Sequence, residues 1–275
     1  MNIANLQNLH THTTYCDGAL SPEGMVLAAI DKGCRSIGFS EHSYVTFDEH
    51  YSMTPEMTCR YVSEVNALKT KYSGSIDIFL GLEQDYFTAW QPAPGTLDYI
   101  IGTAHYLKTG DGFVTVDAGA KHQKQIVEKH FGGDFYAMAE AYYETISTMV
   151  TKTGADIIGH FDLIMKYNFN CELFDERHPR YFKAALNAMD EILAECKLFE
   201  VNTGAMYRLG KPEPYPSVFL LNELCKRGGD VILSSDSHCA ESLCYAFSET
   251  CLLIKSCGFK YIKRLTKDGF VNEPL

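Results

Sequence analysis

The stretch Asn8-Leu9-His10-Thr11-His12-Thr13-Thr14-Tyr15-Cys16-Asp17-Gly18 sets the reading of the whole chain. If the run from Leu6 to His10 is a strand that stays extended through His12, the two imidazoles stand at i and i+2 and project from one side. A single metal ion could then hold both. Taken alone, a His-x-His pair reads as two polar residues in a loop. The remainder of the chain changes that reading, because it places His, Asp or Glu at the end of one predicted strand after another.

Outward from this stretch, strand and helix alternate. Ser21-Pro22 starts a helix that runs to Lys32 and stops at Gly33, with Pro in the first turn and Gly just past the last. Residues 36–40 read as a short buried strand ending at Glu41-His42, followed by an aromatic loop over 44–51. Thr54-Pro55-Glu56 opens a second helix, with Val62, Val65 and Leu68 at helical spacing before Ser73-Gly74. Residues 76–82 form an apolar strand with Glu83 at its end, and residues 97–102 form another that closes on Thr103-Ala104-His105. The excursion over 106–134 is too long for a simple turn and is expected to be a loop, a candidate lid. A helix from about 135 to 153 leads to the strand 155–159 and His160. A helix after Pro179 precedes the strand 198–202, and a helix after Tyr215-Pro216 reaches the strand 230–234 and then Ser235-Asp236-Ser237-His238.

Seven strand-to-helix units imply a parallel sheet with helices outside it. A length of 275 residues suits one α/β barrel domain, whose chemistry sits at the carboxyl ends of the strands. Hydrophobic residues at 46% and charged residues at 21% allow a sizeable core. The net charge of -11, from 24 basic and 35 acidic residues, argues against a nucleic-acid or anionic-membrane partner. There is no leader pattern and no apolar run long enough to span a bilayer, so a cytoplasmic protein is expected. Ten cysteines are scattered from Cys16 to Cys257 with no Cys-x-x-Cys, which favours free thiols. Cys16 and Cys239 adjoin Asp17 and His238. In an extended segment neighbours alternate sides, so both are expected to pack behind the site.

The candidate metal ligands are His10, His12, Asp17, His42, Glu83, His105, His160, Asp236 and His238. One His or Asp at a strand end is ordinarily a hydrogen-bonded structural residue or a cap. Six of seven strands ending this way points to a shared site. Imidazole with carboxylate, without clustered thiols, suits Zn, Mn or Fe, and nine donors suggest two or three divalent ions. The sixth unit ends in Asn202-Thr203-Gly204 with no metal-type side chain, and Arg208 lies just beyond it. A guanidinium fork can grip two phosphate oxygens, which makes Arg208 a candidate clamp, with Lys166 as a second cation or a surface ion pair.

The set His10-x-His12, Asp17, Glu41-His42, Glu83, His105, Gly159-His160-x-Asp162 and Ser235-Asp236-x-His238 resembles the polymerase and histidinol phosphatase (PHP) superfamily. Residues 159–168 (GHFDLIMKYN), 201–217 (VNTGAMYRLGKPEPYPS) and the excursion over 106–133 look like the stand-alone histidinol-phosphate phosphatases. The resemblance implies a single domain over 1–275, a distorted (β/α)7 TIM-like barrel binding three metals. On that pattern His10, His12, Glu83 and Asp236 surround the first ion, and Glu83 bridges to a second held by His105 and His160. Asp17, His42 and His238 hold the third. Some superfamily members have His where this chain has Asp17.

The implied activity is hydrolysis of L-histidinol phosphate, a small phosphate ester, with Glu83, Asp236, His238 and Arg208 at the reaction centre. Ions that activate water and neutralise phosphoryl oxygens suit that chemistry, and no Ser, Cys or Asp nucleophile is required. The alternatives are another small phosphate ester or a nucleotide as substrate, or a metal-binding module without catalysis. Glu41 and Asp162 flank ligands and are expected to orient imidazoles or to meet the cationic end of an amino-alcohol substrate. His50, His122, His130 and His178 lie away from strand ends and are expected to face solvent or cap helices. The oligomeric state is not legible.

Overall fold

Proline, glycine and hydroxyl residues cut the chain into elements in the computed structural model, which describes residues 6–48 and 50–275. Residue 49 of the aromatic loop lies outside the described residues. The strands are β1 (Gln7–Asn8), β2 (Ser36–Phe39), β3 (Asp77–Asp85), β4 (Tyr99–Thr103), β5 (Tyr106–Thr109), β6 (Gly112–Thr115), β7 (Ile157–Ile158), β8 (Leu198–Asn202), β9 (Asp230–Ser234), β10 (Tyr261–Thr266) and β11 (Gly269–Pro274). Helices α1 (Pro22–Asp31) and α2 (Pro55–Lys71) begin as the sequence indicates. The Ser21 hydroxyl accepts the Gly24 N–H, the Thr54 hydroxyl accepts the Met57 N–H, and Pro occupies each first turn.

The main sheet runs β1-β2-β3-β4-β7-β8-β9-β10-β11, and its first seven strands pair in parallel. It curls until the chain after β1 meets the chain after β9. Thr11 bridges Ser237, with His12 N–H to Ser237 O at 2.8 Å and Ser237 N–H to His10 O at 2.9 Å. The fully buried Asn8 stitches the same seam, since its Oδ1 accepts the Ser235 N–H (2.8 Å) and its Nδ2 donates to His10 O (2.8 Å). At the opposite end the seam is filled rather than paired. β10 meets β9 in a single parallel register, and the Gln7 side chain exchanges two hydrogen bonds with the Leu265 backbone. The result is the distorted seven-stranded barrel, with a C-terminal β10–β11 hairpin beyond the seven expected strand-to-helix units.

Tyr99 explains two of the glycines. Its buried ring crosses the barrel interior to hydrogen-bond the carbonyls of Leu9 and Phe39, and a Cβ on Gly81 would lie 2.2 Å from that ring. A Cβ on Gly38 would lie 2.4 Å from the Tyr99 hydroxyl. Leu9, Phe79, Ile101, Ile157, Leu198 and Ile232 pack with Tyr99 as the plug beneath the site. Overpacking a filled core costs about 1–3 kcal/mol, so Gly81→Ala is expected to lower the unfolding free energy by an amount of that order, read as a lower urea midpoint. An unchanged midpoint would mean that the Tyr99 ring can move aside.

Two expected features differ. The excursion after Thr103 is not a loop. It forms the β5–β6 hairpin and a helix, α3 (Ala120–His130), and Val116, Ile126 and Val127 join the main core. The helix escapes a pattern search because only Gln123, Ile126 and Val127 of its side chains are buried, too thin an apolar stripe. The helix expected over 135–153 is broken at Thr148 into α4 (Phe135–Ser147) and α5 (Met149–Thr153), and Gly154 ends it in the left-handed region (φ 71°). The remaining helices are α6 (Pro179–Leu193), α7 (Gly204–Leu209), α8 (Val218–Lys226) and α9 (Phe247–Ser256). His178 caps α6, its ring nitrogen accepting the Arg180 N–H at 3.3 Å. Among the described residues no helix is long and apolar enough to cross a membrane.

Candidate metal centre

The strand ends converge on one carboxylate. Glu83, near the end of β3 and 1% exposed, has five imidazoles around it. Its Oε2 lies 3.3 Å from His10 Nε2, 3.3 Å from His12 Nε2 and 2.8 Å from His42 Nδ1. Its Oε1 lies 2.9 Å from His160 Nε2 and 3.3 Å from His105 Nε2. Asp236 approaches from the far side of the barrel, with Oδ1 at 3.3 Å from His12 Nε2 and 3.6 Å from His10 Nε2. Asp17 closes the outer edge, 3.0 Å from His238 Nε2 and 3.6 Å from His42 Nε2. All nine residues singled out in the sequence therefore meet in one cluster.

Local backbone explains two of these placements. The chain turns sharply after Thr13, whose carbonyl accepts the N–H groups of Cys16 (3.1 Å) and Gly18 (2.9 Å), and this swings Asp17 back over the strand end. A Cβ on Gly18 would lie 2.4 Å from the His12 carbonyl oxygen, so the turn requires glycine. Asp236 sits in the left-handed region (φ 45°), a conformation that a non-glycine residue holds only when its surroundings fix it. Arg208 supplies part of that fixing, donating to Asp236 O (2.6 Å) and Asp236 Oδ2 (2.8 Å).

Asp17, His42, Tyr51, Glu83, His105, Asp117, His160, Lys166, Arg208, Asp236 and His238 line a cavity of about 190 Å³. Water occupies about 30 Å³ per molecule, so this volume holds a small ligand. Arg208 faces it, and so does Lys166, whose ammonium is paired with Asp117 at 2.9 Å. Lys166 thus lines the cavity and is ion-paired there rather than at the open surface.

The electrostatics call for added positive charge. Burial opposes ionisation of Glu83, but His42, His10 and His105 outweigh it and hold the carboxyl well below its usual range. Burial is likewise overcome at Asp236 by Arg208 and His10, and at Asp17 by His42 and His238. The imidazoles pay unevenly for this: burial, with His238 and His42 nearby, pushes His12 down to about 3, whereas Glu83 and Asp17 outweigh burial and raise His42 to about 9. The buried Nε2 atoms of His10, His12 and His42 and the Oε2 of Glu83 make no hydrogen bond. Each such group costs about 1–3 kcal/mol if left unmatched. Lone pairs aimed inward beside ionised carboxylates fit divalent cations, and the groups His10–His12–Glu83, His42–Glu83–His105 and His12–Asp236–His238 each bring donor atoms within 4.8 Å of one another.

Several contributors escaped the sequence analysis. Glu200 lies inside β8 rather than at its end; its Oε1 is 2.6 Å from His10 Nδ1, and its Oε2 accepts the His160 N–H (2.9 Å) and the Asn202 amide (2.9 Å). A lone acid within the apolar strand LFEVN was a readable signal. Asp85 meets His105 Nδ1 at 3.3 Å, and Tyr51 stacks on His42 with centroids 4.0 Å apart. Three expectations are corrected. Cys16 is not placed by strand alternation, because the turn after Thr13 cancels it and puts the sulfur 3.4 Å from His12 Nδ1, the ring nitrogen that is not turned to Glu83. Glu41 takes its hydrogen bonds from Thr13 and Cys16 rather than from an imidazole. Asp162 accepts the Ser217 N–H (2.9 Å) and orients no imidazole; burial, only partly opposed by Lys211, lifts its carboxyl to about 6.

Comparison with known proteins places this arrangement. The family model described as the PHP domain matches residues 8–204. The chain belongs to the PHP domain family. Among curated relatives, a Deinococcus radiodurans protein named "Probable histidinol-phosphatase" is 28% identical, over 93% of this chain and 95% of its own length. The Bacillus subtilis histidinol-phosphatase is 26% identical, covering 86% and 95% respectively. The crystal structure of the Lactococcus lactis histidinol phosphate phosphatase, complexed with zinc, L-histidinol and phosphate, superposes with a TM-score of 0.68 at 20% identity, covering 96% of this chain and 98% of that one.

The raised His42 gives the PHP site of this chain a defined response to pH. Its folded value, about 9, exceeds the ordinary 6.5, so the stability that it gives the metal-free protein is complete below pH 6.5 and is lost as pH rises through about 9. A metal bound through His42 would have to displace the same proton, so its affinity is expected to run the other way and to climb across that window. Thermal unfolding of metal-free protein and metal-binding isotherms between these pH values check both signs. Parallel rather than opposed trends would contradict them.

Proposed function

We propose that the chain is a metal-dependent phosphomonoesterase that hydrolyses L-histidinol phosphate to L-histidinol and phosphate, a step of histidine biosynthesis. The observation that carries this reading is Glu83 among five imidazoles, each oxygen shared between different histidines, in a cavity that also holds Arg208 and Lys166. The curated relatives named histidinol-phosphatase, matched over most of their length, support the substrate.

On this reading His10, His12, Glu83 and Asp236 would hold one ion, His105 and His160 together with Glu83 would hold a second, and Asp17, His42 and His238 would hold a third. Zinc, manganese or iron suits these donors. Bound there, such ions supply Lewis acidity that activates water near neutral pH and offsets charge on the phosphoryl oxygens. The protein supplies position. Arg208 is committed to Asp236 through two hydrogen bonds, and its planar fork is thereby held rigid at the cavity wall, ready to orient a phosphoryl group. Lys166, tethered by Asp117, adds a second cation to the lining of the same cavity. Glu200 and Asp85 fix the rings of His10 and His105 so that the other nitrogen of each faces Glu83. The same reading puts the enzyme in the cytoplasm, where amino-acid biosynthesis supplies its substrate.

The test is metal analysis of purified protein followed by phosphate release from histidinol phosphate, other small phosphomonoesters and nucleotides. Chelation is expected to abolish turnover, added Mn or Zn to restore it, and histidinol phosphate to be the preferred substrate. A metal-loaded protein inert on histidinol phosphate but active on another ester would overturn the substrate, and one that is inert throughout would overturn the enzyme.

A further inference from the structure

The imidazoles around Glu83 differ in what holds their second nitrogen. His10 Nδ1 meets the Glu200 carboxylate at 2.6 Å, and His105 Nδ1 meets the Asp85 carboxylate at 3.3 Å. His12 is equally buried and turns Nε2 to Glu83 and Asp236, yet its Nδ1 has the Cys16 sulfur at 3.4 Å and no carboxylate oxygen nearer than Asp17 Oδ1 at 3.8 Å. Behind the sulfur stands Glu41, which is fully buried and contacts Cys16 through Oε2. Thr13 holds that carboxylate with its N–H (3.2 Å) and its hydroxyl.

We propose that Cys16 is a positioning residue for His12: its sulfur accepts the Nδ1–H of the imidazole while its S–H donates to Glu41, so that a thiol stands between ring and carboxylate. The sulfur is flanked by one nitrogen that must carry a proton if Nε2 is to offer a lone pair, and by one acceptor oxygen. That pairing consumes the donor and the acceptor of a thiol. It also gives a use to the half-buried Cys16 and the fully buried Glu41, which neither face Glu83 nor belong to the apolar core. The turn from Thr13 to Gly18 therefore has two outputs, bringing Asp17 over the cavity and locking the ring of His12 beneath it. The alternative fate of this sulfur is direct ligation, since it lies 3.4 Å from Asp17 Oδ1.

The inference rests on His12 being a metal ligand, and the experiment separates the two ideas. Purified wild type, Cys16→Ala and Cys16→Ser are compared by chelator competition for zinc, by kcat and KM on histidinol phosphate, and by the electronic spectrum after cobalt loading. Loss of such an outer hydrogen bond to a metal-bound imidazole typically costs about 10–100-fold in metal affinity. Cys16→Ala is expected to fall in that range, Cys16→Ser to recover most of the loss because a hydroxyl also accepts and donates, and cobalt-loaded wild type to show no sulfur-to-metal charge-transfer band. Native affinity in Cys16→Ala overturns the proposal, as does a charge-transfer band that Cys16→Ser removes, which would make the sulfur a ligand. Wild type that binds no metal overturns the reading of His12 instead. Circular dichroism of the metal-free forms identifies a variant that fails to fold. In that event Glu41→Gln carries the test, because weakening the acceptor behind the thiol is expected to lower zinc affinity in the same direction, and unchanged affinity overturns the proposal.

Discussion

Glu83→Gln is expected to leave a protein with little bound metal and no measurable phosphatase activity, a loss well beyond the roughly 100-fold typical of an outer hydrogen-bonding residue. The substitution keeps size and removes charge. In the native site the carboxylate offers both oxygens, one toward His10, His12 and His42 and the other toward His105 and His160. An amide in that place presents an NH2 group to one of the two sets, so one side of the cluster faces a donor where it needs an acceptor. The metal-free protein responds as well. Glu83 is the foremost of the groups that raise His42, and without it that imidazole moves back toward its burial-lowered state and the pH window described above shrinks. Metal content by elemental analysis and phosphate release together check the claim. A variant that retains its metal and a tenth of its activity would refute the central position given to Glu83.

Arg208→Ala is expected to raise KM for the phosphate ester about 10–100-fold, the loss of a charge-assisted hydrogen bond of about 1.5–3 kcal/mol, while metal content stays near native. The distinction matters because Arg208 also touches the metal cluster. It donates to both the backbone and the carboxylate of Asp236 and lies 3.0 Å from His238 Nδ1. A Cβ on Gly204 would come 2.9 Å from its Nη2, so the start of α7 is shaped to admit the guanidinium. Arg208→Lys keeps the charge without the fork and is expected to fall between wild type and Arg208→Ala. Unchanged KM removes Arg208 from the substrate site. Loss of metal instead makes support of Asp236 its main contribution.

Much of this architecture was legible because it is written locally. Six of the seven parallel strands show as short apolar runs, the exception being β1 (Gln7–Asn8), and His42, Glu83, His105, His160 and Asp236 come at or just after the ends of those runs. The reading failed where geometry departed from a regular period. Cys16 was assigned by the alternation of a strand, but a turn with glycine at its close reverses the chain there. Glu200 is not legible at a strand end, because its carboxylate lies one layer deeper and serves from within β8. The excursion after His105 lacked a broad apolar stripe, so its hairpin and helix were invisible until the core contacts of Val116, Ile126 and Val127 were in place.

By itself, then, the sequence determined the donor types, their order on successive strand ends and hence the class of barrel, since side-chain period and helix punctuation depend only on near neighbours. The tertiary structure alone decided that Thr11 meets Ser237, that one oxygen of Glu83 serves three histidines and the other two, and that His10 leans on a carboxylate where His12 leans on a thiol. Those facts depend on how far the sheet curls and which rotamers its packed interior permits, and such couplings between residues distant along the chain leave no periodic mark on it.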